Sequence, residues 1–262
     1  MQSAETMPPW VVLVPLKPLQ AAKSRLDHPD RGALALAMAL DTTAAILDVD
    51  AEVVGSVIVV TDDPSAREAL ADLAKAYPAA TSTSTSTSVA VAVDVDVDLH
   101  RPGRPDGSVR RVGRLLVAAD EPRSGLNPAF AHAAALARRL HPGWGTAALS
   151  ADLPALRPQE LRRALTVAPS TGHAVLADAV GTGTVLLSAA PGTELRPRFG
   201  SGSFRAHRDA GATDLTGILR DQVPGLRRDV DTVSDLADAR ALGLGPATRR
   251  VLKADPSPRS AA

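Results

Sequence analysis

Short aliphatic runs alternate along this chain with longer Ala- and Leu-rich segments of helical period, and few folds accept that rhythm. A strand-length run followed by a helix long enough to cross back over the sheet is the pattern of a parallel sheet covered by helices. Strands are predicted at 10–15, 57–61, 115–119, 146–151, 174–177, 184–188 and 226–230. Several are continuous apolar runs, as strands buried on both faces are. Helices are predicted at 32–47, 65–77, 128–140, 158–167, 203–210 and 233–242. Asp63 before Pro64, Asn127 before Pro128 and Thr232 before Val233 supply start signals. No helix separates the strands within 174–188, which predicts a local antiparallel hairpin. The fold class expected is α/β, with a mostly parallel, doubly wound sheet. In such sheets ligands bind beyond the carboxyl ends of the strands, so the loops there are where chemistry is sought.

A chain of 262 residues, 45% apolar, fills one large α/β domain or two small ones, and one is the first reading. The expected organisation is a flexible stretch 1–9, a domain over 10–245 and a flexible tail 246–262. Lys plus Arg and Asp plus Glu each number 29, so no overall field draws the protein to nucleic acid or an anionic membrane. Any anion site must be local. Absence of cysteine removes thiolate nucleophiles, disulfides and cysteine-ligated zinc, and suits a reducing cytoplasm. The start lacks the pattern of a secretory signal, and the run at 10–15 is too short to span a bilayer. Aromatic residues make up only 2%, too few for the stacking platforms of single-strand nucleic-acid binding.

The stretch 79–98 is repetitive: Thr-Ser, then Val-Ala, then Val-Asp. Its period of two suits a strand, but repetitive Ser, Thr and Asp before a Pro- and Gly-containing segment specify no unique packing. A flexible surface insertion over about 79–112 is therefore the better expectation. Asp94, Asp96 and Asp98 read better as a solvated charge row than as a cation site.

Four constellations could carry chemistry. Lys17, Lys23 and Arg25, with Ser24 among them, follow the first strand within nine residues. Ammonium and guanidinium groups are the usual partners of phosphate oxygens, although on charge alone a basic surface loop before a helix is the preferred reading. Asp152 ends an apolar strand before Pro154, and Asp229 and Asp231, two apart on a predicted strand, would share one face. Carboxylates from two strand ends could hold magnesium against a triphosphate; helix capping is the plain alternative for each. The Gly181-Thr182-Gly183-Thr184 stretch and the segment 198–204, with Gly200 and Ser203, are rich in small polar residues. Their backbone amides could approach an anion, yet hairpin turns use the same residues. Gly125 and Asn127 lie between a strand and a helix, where the amide could meet a base edge or cap the helix. His207 and the other histidines, His28, His100, His132, His141 and His173, show no metal spacing and read as structural or surface.

Taken in order, the segments 15–26, 125–129, 151–156, 181–184, 198–203 and 229–236 resemble the CofC/FbiD guanylyltransferase family. The resemblance runs from about Trp10 to Gly245 and is interrupted chiefly at 79–112. It implies a single-domain nucleotidyltransferase fold similar to molybdenum-cofactor guanylyltransferases. It further implies magnesium-dependent transfer of GMP from GTP to a small phosphorylated three-carbon acid, with release of pyrophosphate, in coenzyme F-420 biosynthesis. Members differ in using phosphoenolpyruvate, 2-phospho-L-lactate or 3-phosphoglycerate. The high Ala, Arg and Pro usage looks actinobacterial and favours phosphoenolpyruvate. By the resemblance, Asp152 and Asp229 bind magnesium, with Asp231 beside them. Thr184, Gly200 and Ser203 hold the acceptor, and Lys17, Lys23, Ser24 and Arg25 face the triphosphate. Gly125 and Asn127 are assigned to the nucleotide. A monomer or homodimer is expected, with the next pathway enzyme a candidate partner. A nucleotide-sugar glycosyltransferase and a non-catalytic nucleotide-binding regulator are the rival readings.

Overall fold

The computed structural model describes residues 8–19, 26, 28–77, 96–97, 109–121 and 123–254. Among the described residues nine strands form one sheet: β1 (Trp10–Pro15), β2 (Val54–Val60), β3 (Asp96–Val97), β4 (Val109–Val112), β5 (Leu115–Ala118), β6 (Gly145–Leu149), β7 (His173–Ala177), β8 (Thr184–Ala189) and β9 (Thr213–Asp214). Their order is β3-β4-β5-β2-β1-β6-β8-β7-β9. Pairing is parallel for β1 with β2 and β6, for β2 with β5 and for β7 with β9. It is antiparallel only where β4 or β8 takes part. Seven of the nine strands therefore run one way, and the predicted hairpin is the β7–β8 pair.

The helices are α1 (Arg31–Leu47), α2 (Pro64–Lys75), α3 (Leu126–Leu140), α4 (Pro158–Val167), α5 (Ser203–Asp209), α6 (Thr216–Leu219), α7 (Pro224–Arg227), α8 (Val233–Leu242) and α9 (Pro246–Ala254). They cover the sheet on both sides. Alternation along β1 shows why its run is apolar throughout. Val12 and Val14 pack with Ile46 of α1, Leu70 of α2 and Leu161 of α4, whereas Val11 and Leu13 pack with Phe130 and Leu136 of α3. Each such side chain contributes about 1.5–3 kcal/mol by leaving water. Glycine at 145 is required by packing, since a Cβ there would stand 2.5 Å from the Trp10 indole. Among the described residues no helix is long and apolar enough to cross a membrane.

Three elements differ from expectation. The predicted strand at 226–230 is instead the helical turn α7 followed by non-repetitive chain. Pro224 opens that turn, and the amides of Gly225 and Leu226 donate to the buried Glu160 carboxylate at 3.1 and 2.7 Å. Those donors are thus lost to any sheet ladder. The tail begins with a helix, α9, whose first amides, Ala247 and Thr248, donate to the Asp41 carboxylate at 2.9 and 2.8 Å. Asp41 on α1 caps α9 from a distance in sequence that no local pattern reveals. Within the expected insertion, Asp96–Val97 pairs with Val109–Val112, which turns back from β5 at Gly113 and so offers an edge. Residues 78–95 and 98–108 lie outside the described residues, with Asp94 and Asp98 among them; 1–7 and 255–262 lie outside them also.

Candidate active site

Because β8 is antiparallel to β6 and β7, its first residue, Thr184, stands at the same sheet edge as the carboxyl ends of β1, β6 and β7. Segments 16–19, 150–156 and 178–183 leave from that edge. Lys17 is exposed there, two residues beyond β1, whose Leu13 registers with Ala148 of β6. Lys23, Ser24 and Arg25 lie outside the described residues.

Asp152 sits on a loop fixed from both sides. The Thr42 hydroxyl, buried on α1, lies 2.8 Å from the Met38 carbonyl oxygen and 3.1 Å from that of Ala151, which share its one proton, and it accepts the Leu153 amide at 3.0 Å. One side chain therefore clamps the residues before and after Asp152. The loop also accepts the Val230 amide on the Asp152 carbonyl oxygen at 3.1 Å. Val230 itself is buried with Met38, Ala155 and Ala239, so Asp229 and Asp231 flank an anchored residue.

The segment carrying Asp229 is bonded to the Asp152 loop through the Val230 amide and, through the Arg227 guanidinium at 2.7 Å, to the carbonyl oxygen of Asp178, a residue the sequence reading passed over. Burial first, then the charges of Asp152, Asp178 and Asp231, raise the Asp229 carboxyl to about 7. Crowded carboxylates of this kind are favourable surroundings for a divalent cation. Asp231 is exposed. Thr232, not Asp231, caps α8, in a reciprocal capping box with Asp235. Among the described residues no three His, Asp or Glu side chains form a ready metal-holding group. The donor set fits magnesium in the form that takes one or two carboxylates and leaves other positions to phosphate oxygens and water.

Asp178 organises the Gly- and Thr-rich turn. Its carboxylate accepts the amides of Gly181, Thr182 and Gly183 at 2.6, 2.9 and 2.8 Å. Those amides are engaged internally. Thr184 beyond them is buried and lies 3.0 Å from His207 Nδ1. His207 Nε2 accepts the Arg198 amide at 2.8 Å, tying the 198–203 segment to Thr184. Gly200 is exposed with φ 138°, a conformation L side chains avoid, and Ser203 is buried at the start of α5.

Asn127 is not the cap of α3. The helix cap of α3 falls at Gly125 (φ 114°), and Asn127 lies inside the first turn. Its Oδ1 accepts the Phe199 amide at 2.7 Å while its Nδ2 donates to the Phe199 carbonyl at 3.0 Å. A carboxamide matched to both backbone groups of one distant residue is spent on holding the 198–203 segment. The Phe199 ring stacks on Phe130 at 4.4 Å and meets the His207 ring edge-on at 5.3 Å.

A second carboxylate group lies beyond β2 and β5. Asp62 accepts the Asp120 amide at 3.1 Å and pairs with Arg123 at 2.7 Å. Burial, then the Asp62 charge, raises the Asp120 carboxyl. Like Asp178, both aspartates end apolar strands, and that shared signal was available in the sequence.

The architecture defines an α/β fold with its carboxylates gathered past the carboxyl ends of a mostly parallel sheet, and its relatives make its class that of a nucleotidyltransferase. No family model matches the chain. It is 50% identical over 246 residues to a phosphoenolpyruvate guanylyltransferase of Frankia casuarinae, covering 94% of this chain and 77% of that protein. It is 43% identical over 246 residues to the phosphoenolpyruvate guanylyltransferase of Streptomyces coelicolor, covering 92% and 95%. Among solved structures it is similar to a nucleotidyl transferase from Methanothermobacter thermautotroptrophicus, at 15% identity and TM-score 0.48, covering 94% and 99%. The chain belongs to the phosphoenolpyruvate guanylyltransferase family, CofC/FbiD.

Proposed function

We propose that this protein transfers GMP from GTP to phosphoenolpyruvate, giving enolpyruvyl-diphospho-guanosine and pyrophosphate, as a cytoplasmic step of coenzyme F-420 biosynthesis. The names of its relatives support the acceptor. The observation that carries the reaction is the bonding of the 227–230 segment to the Asp152 loop through the Val230 amide and to Asp178 through the Arg227 guanidinium, which gathers carboxylates from three separate loops at one sheet edge. In this reading Asp152 and Asp229, with Asp231 at the rim, hold magnesium. Bound there, the cation would neutralise charge on the triphosphate as attacking and leaving oxygens exchange.

The chain's own groups do the rest by orientation. Lys17, with Lys23, Ser24 and Arg25, grips the triphosphate, and Gly125 supplies backbone to the nucleotide. Thr184, Gly200 and Ser203 hold the acceptor so that its phosphate oxygen lies in line with the α-phosphorus. One phosphorus–oxygen bond forms as the α–β bridge breaks, and pyrophosphate leaves. The acceptor phosphate is already ionised at neutral pH, so no general base is needed. The protein works as a monomer or homodimer and passes its product to the next enzyme of the pathway.

The test uses purified protein with GTP, magnesium and, separately, phosphoenolpyruvate, 2-phospho-L-lactate or 3-phosphoglycerate, scored for pyrophosphate. Coupling to the next enzyme guards against a labile product. Highest turnover is expected with phosphoenolpyruvate, and ATP should not replace GTP. No pyrophosphate with any acid would overturn the reading, and sugar transfer from a nucleotide sugar would replace it.

A further inference from the structure

His207 is 2% exposed, yet no element of the proposed reaction uses it. Its two ring nitrogens have distinct partners. A backbone amide can only donate, so the Arg198 N–H at 2.8 Å fixes Nε2 as an acceptor. In the neutral ring the proton then sits on Nδ1, 3.0 Å from Thr184 Oγ1. Nδ1–H donates to that oxygen, which leaves the hydroxyl's own proton to point elsewhere. Among the described residues no acceptor for that proton is found. Burial first, then the charges of Arg198 and His173, hold the imidazole down to about 4, in keeping with a neutral ring at physiological pH.

We propose that His207 is a positioning residue for the acceptor: from the 198–203 side it turns the Thr184 hydroxyl proton toward the acceptor's anionic group. The inference rests on the reading that Thr184 and the 198–203 segment hold the acceptor. The ring is itself steadied by the edge of Phe199, whose backbone Asn127 grips at both polar atoms. The Thr184 strand end and the 198–203 segment thus share one donor–acceptor relay. With the opposite tautomer, the Arg198 amide would lose its acceptor and the Thr184 hydroxyl would have to donate inward.

Two partial isosteres separate the two bonds. His207→Asn keeps a donor near the Nδ1 position, and His207→Gln keeps an acceptor near the Nε2 position. KM for phosphoenolpyruvate, KM for GTP, kcat and Tm are measured for each, and again in a Thr184→Val background. His207→Gln should raise the acceptor KM about tenfold or more, the scale of a hydrogen bond to a charged group, with the GTP KM unchanged. His207→Asn should raise it clearly less at a similar Tm. In the Thr184→Val background, His207→Gln should add nothing. Equal effects of the two isosteres, or additive losses in the double variant, would overturn the inference while leaving the reaction intact. No turnover by the wild-type protein with any of the three acids would overturn the functional reading and this inference with it. Nitrogen-15 shifts of the wild-type imidazole supply a test free of variants. A protonated Nδ1 and bare Nε2 at neutral pH are expected, and the reverse pattern overturns the proposal.

Discussion

The Val230 amide donates to the Asp152 carbonyl oxygen at 3.1 Å, so the chain carrying Asp229 is bonded directly to the loop carrying Asp152. Gly225 sets how closely the two approach: a Cβ on it would fall 2.2 Å from the Ala155 carbonyl oxygen. Gly225→Ala should push the 224–231 segment outward, at a cost of about 1–3 kcal/mol for overpacking. A lower urea midpoint together with weakened magnesium dependence of pyrophosphate release would bear this out. Unchanged values for both would contradict it.

Thr42 reaches the same loop from beneath. Thr42→Val keeps the shape but removes the hydroxyl, leaving the buried Leu153 amide without its acceptor. The expected destabilisation is about 1–3 kcal/mol, with a fall in kcat. Thr42→Ser should restore most of both, as judged by denaturation and steady-state kinetics.

Beside Thr42, Asp41 holds the first amides of α9. Asp41→Ala should cost about 0.5–2 kcal/mol, the range for losing a helix cap. Gly245→Ala should cost more than an ordinary surface change, because its Cβ would lie 2.2 Å from Asp41 Cγ. Amide exchange along 246–254 should rise in both variants, and exchange as slow as in wild type would argue against this cap.

His207 also gives the protein a signed pH dependence. Its folded-state value, about 4, lies below the ordinary 6.5. The unfolded chain therefore binds more protons between those values, and stability contributed by the neutral ring is full above about 6.5 and declines as pH falls toward 4. Arg198, His173 and Thr184 are the groups involved. Wild type should lose stability relative to His207→Asn across that interval, measured by urea denaturation at each pH. A constant difference would show that the ring is protonated equally in both states.

The sheet was legible because each central strand is a continuous aliphatic run and each crossover has a helical period. Asp152 was legible for the same reason, as a charge ending an apolar run. The segment 226–230 misled, since Leu226 and Val230 are apolar whether they enter a sheet or cap a small cluster. What decided between them was a carboxylate far away, Glu160. Asn127 likewise looked like a cap because its partner, Phe199, is remote in sequence. Long-range polar pairs leave no period in the chain, and the α9 cap on Asp41 was hidden in the same way.

The central claim is that Asp152 and Asp229 act together on one divalent cation. Pyrophosphate release from GTP and phosphoenolpyruvate, titrated with magnesium, tests it most directly in wild type, Asp152→Ala and Asp229→Ala. The account predicts saturable magnesium dependence in wild type, and loss of turnover by about a hundredfold or more, about 2.7 kcal/mol or more, in each variant with the fold retained by circular dichroism. Wild-type turnover with an unaltered magnesium response in either variant would contradict it.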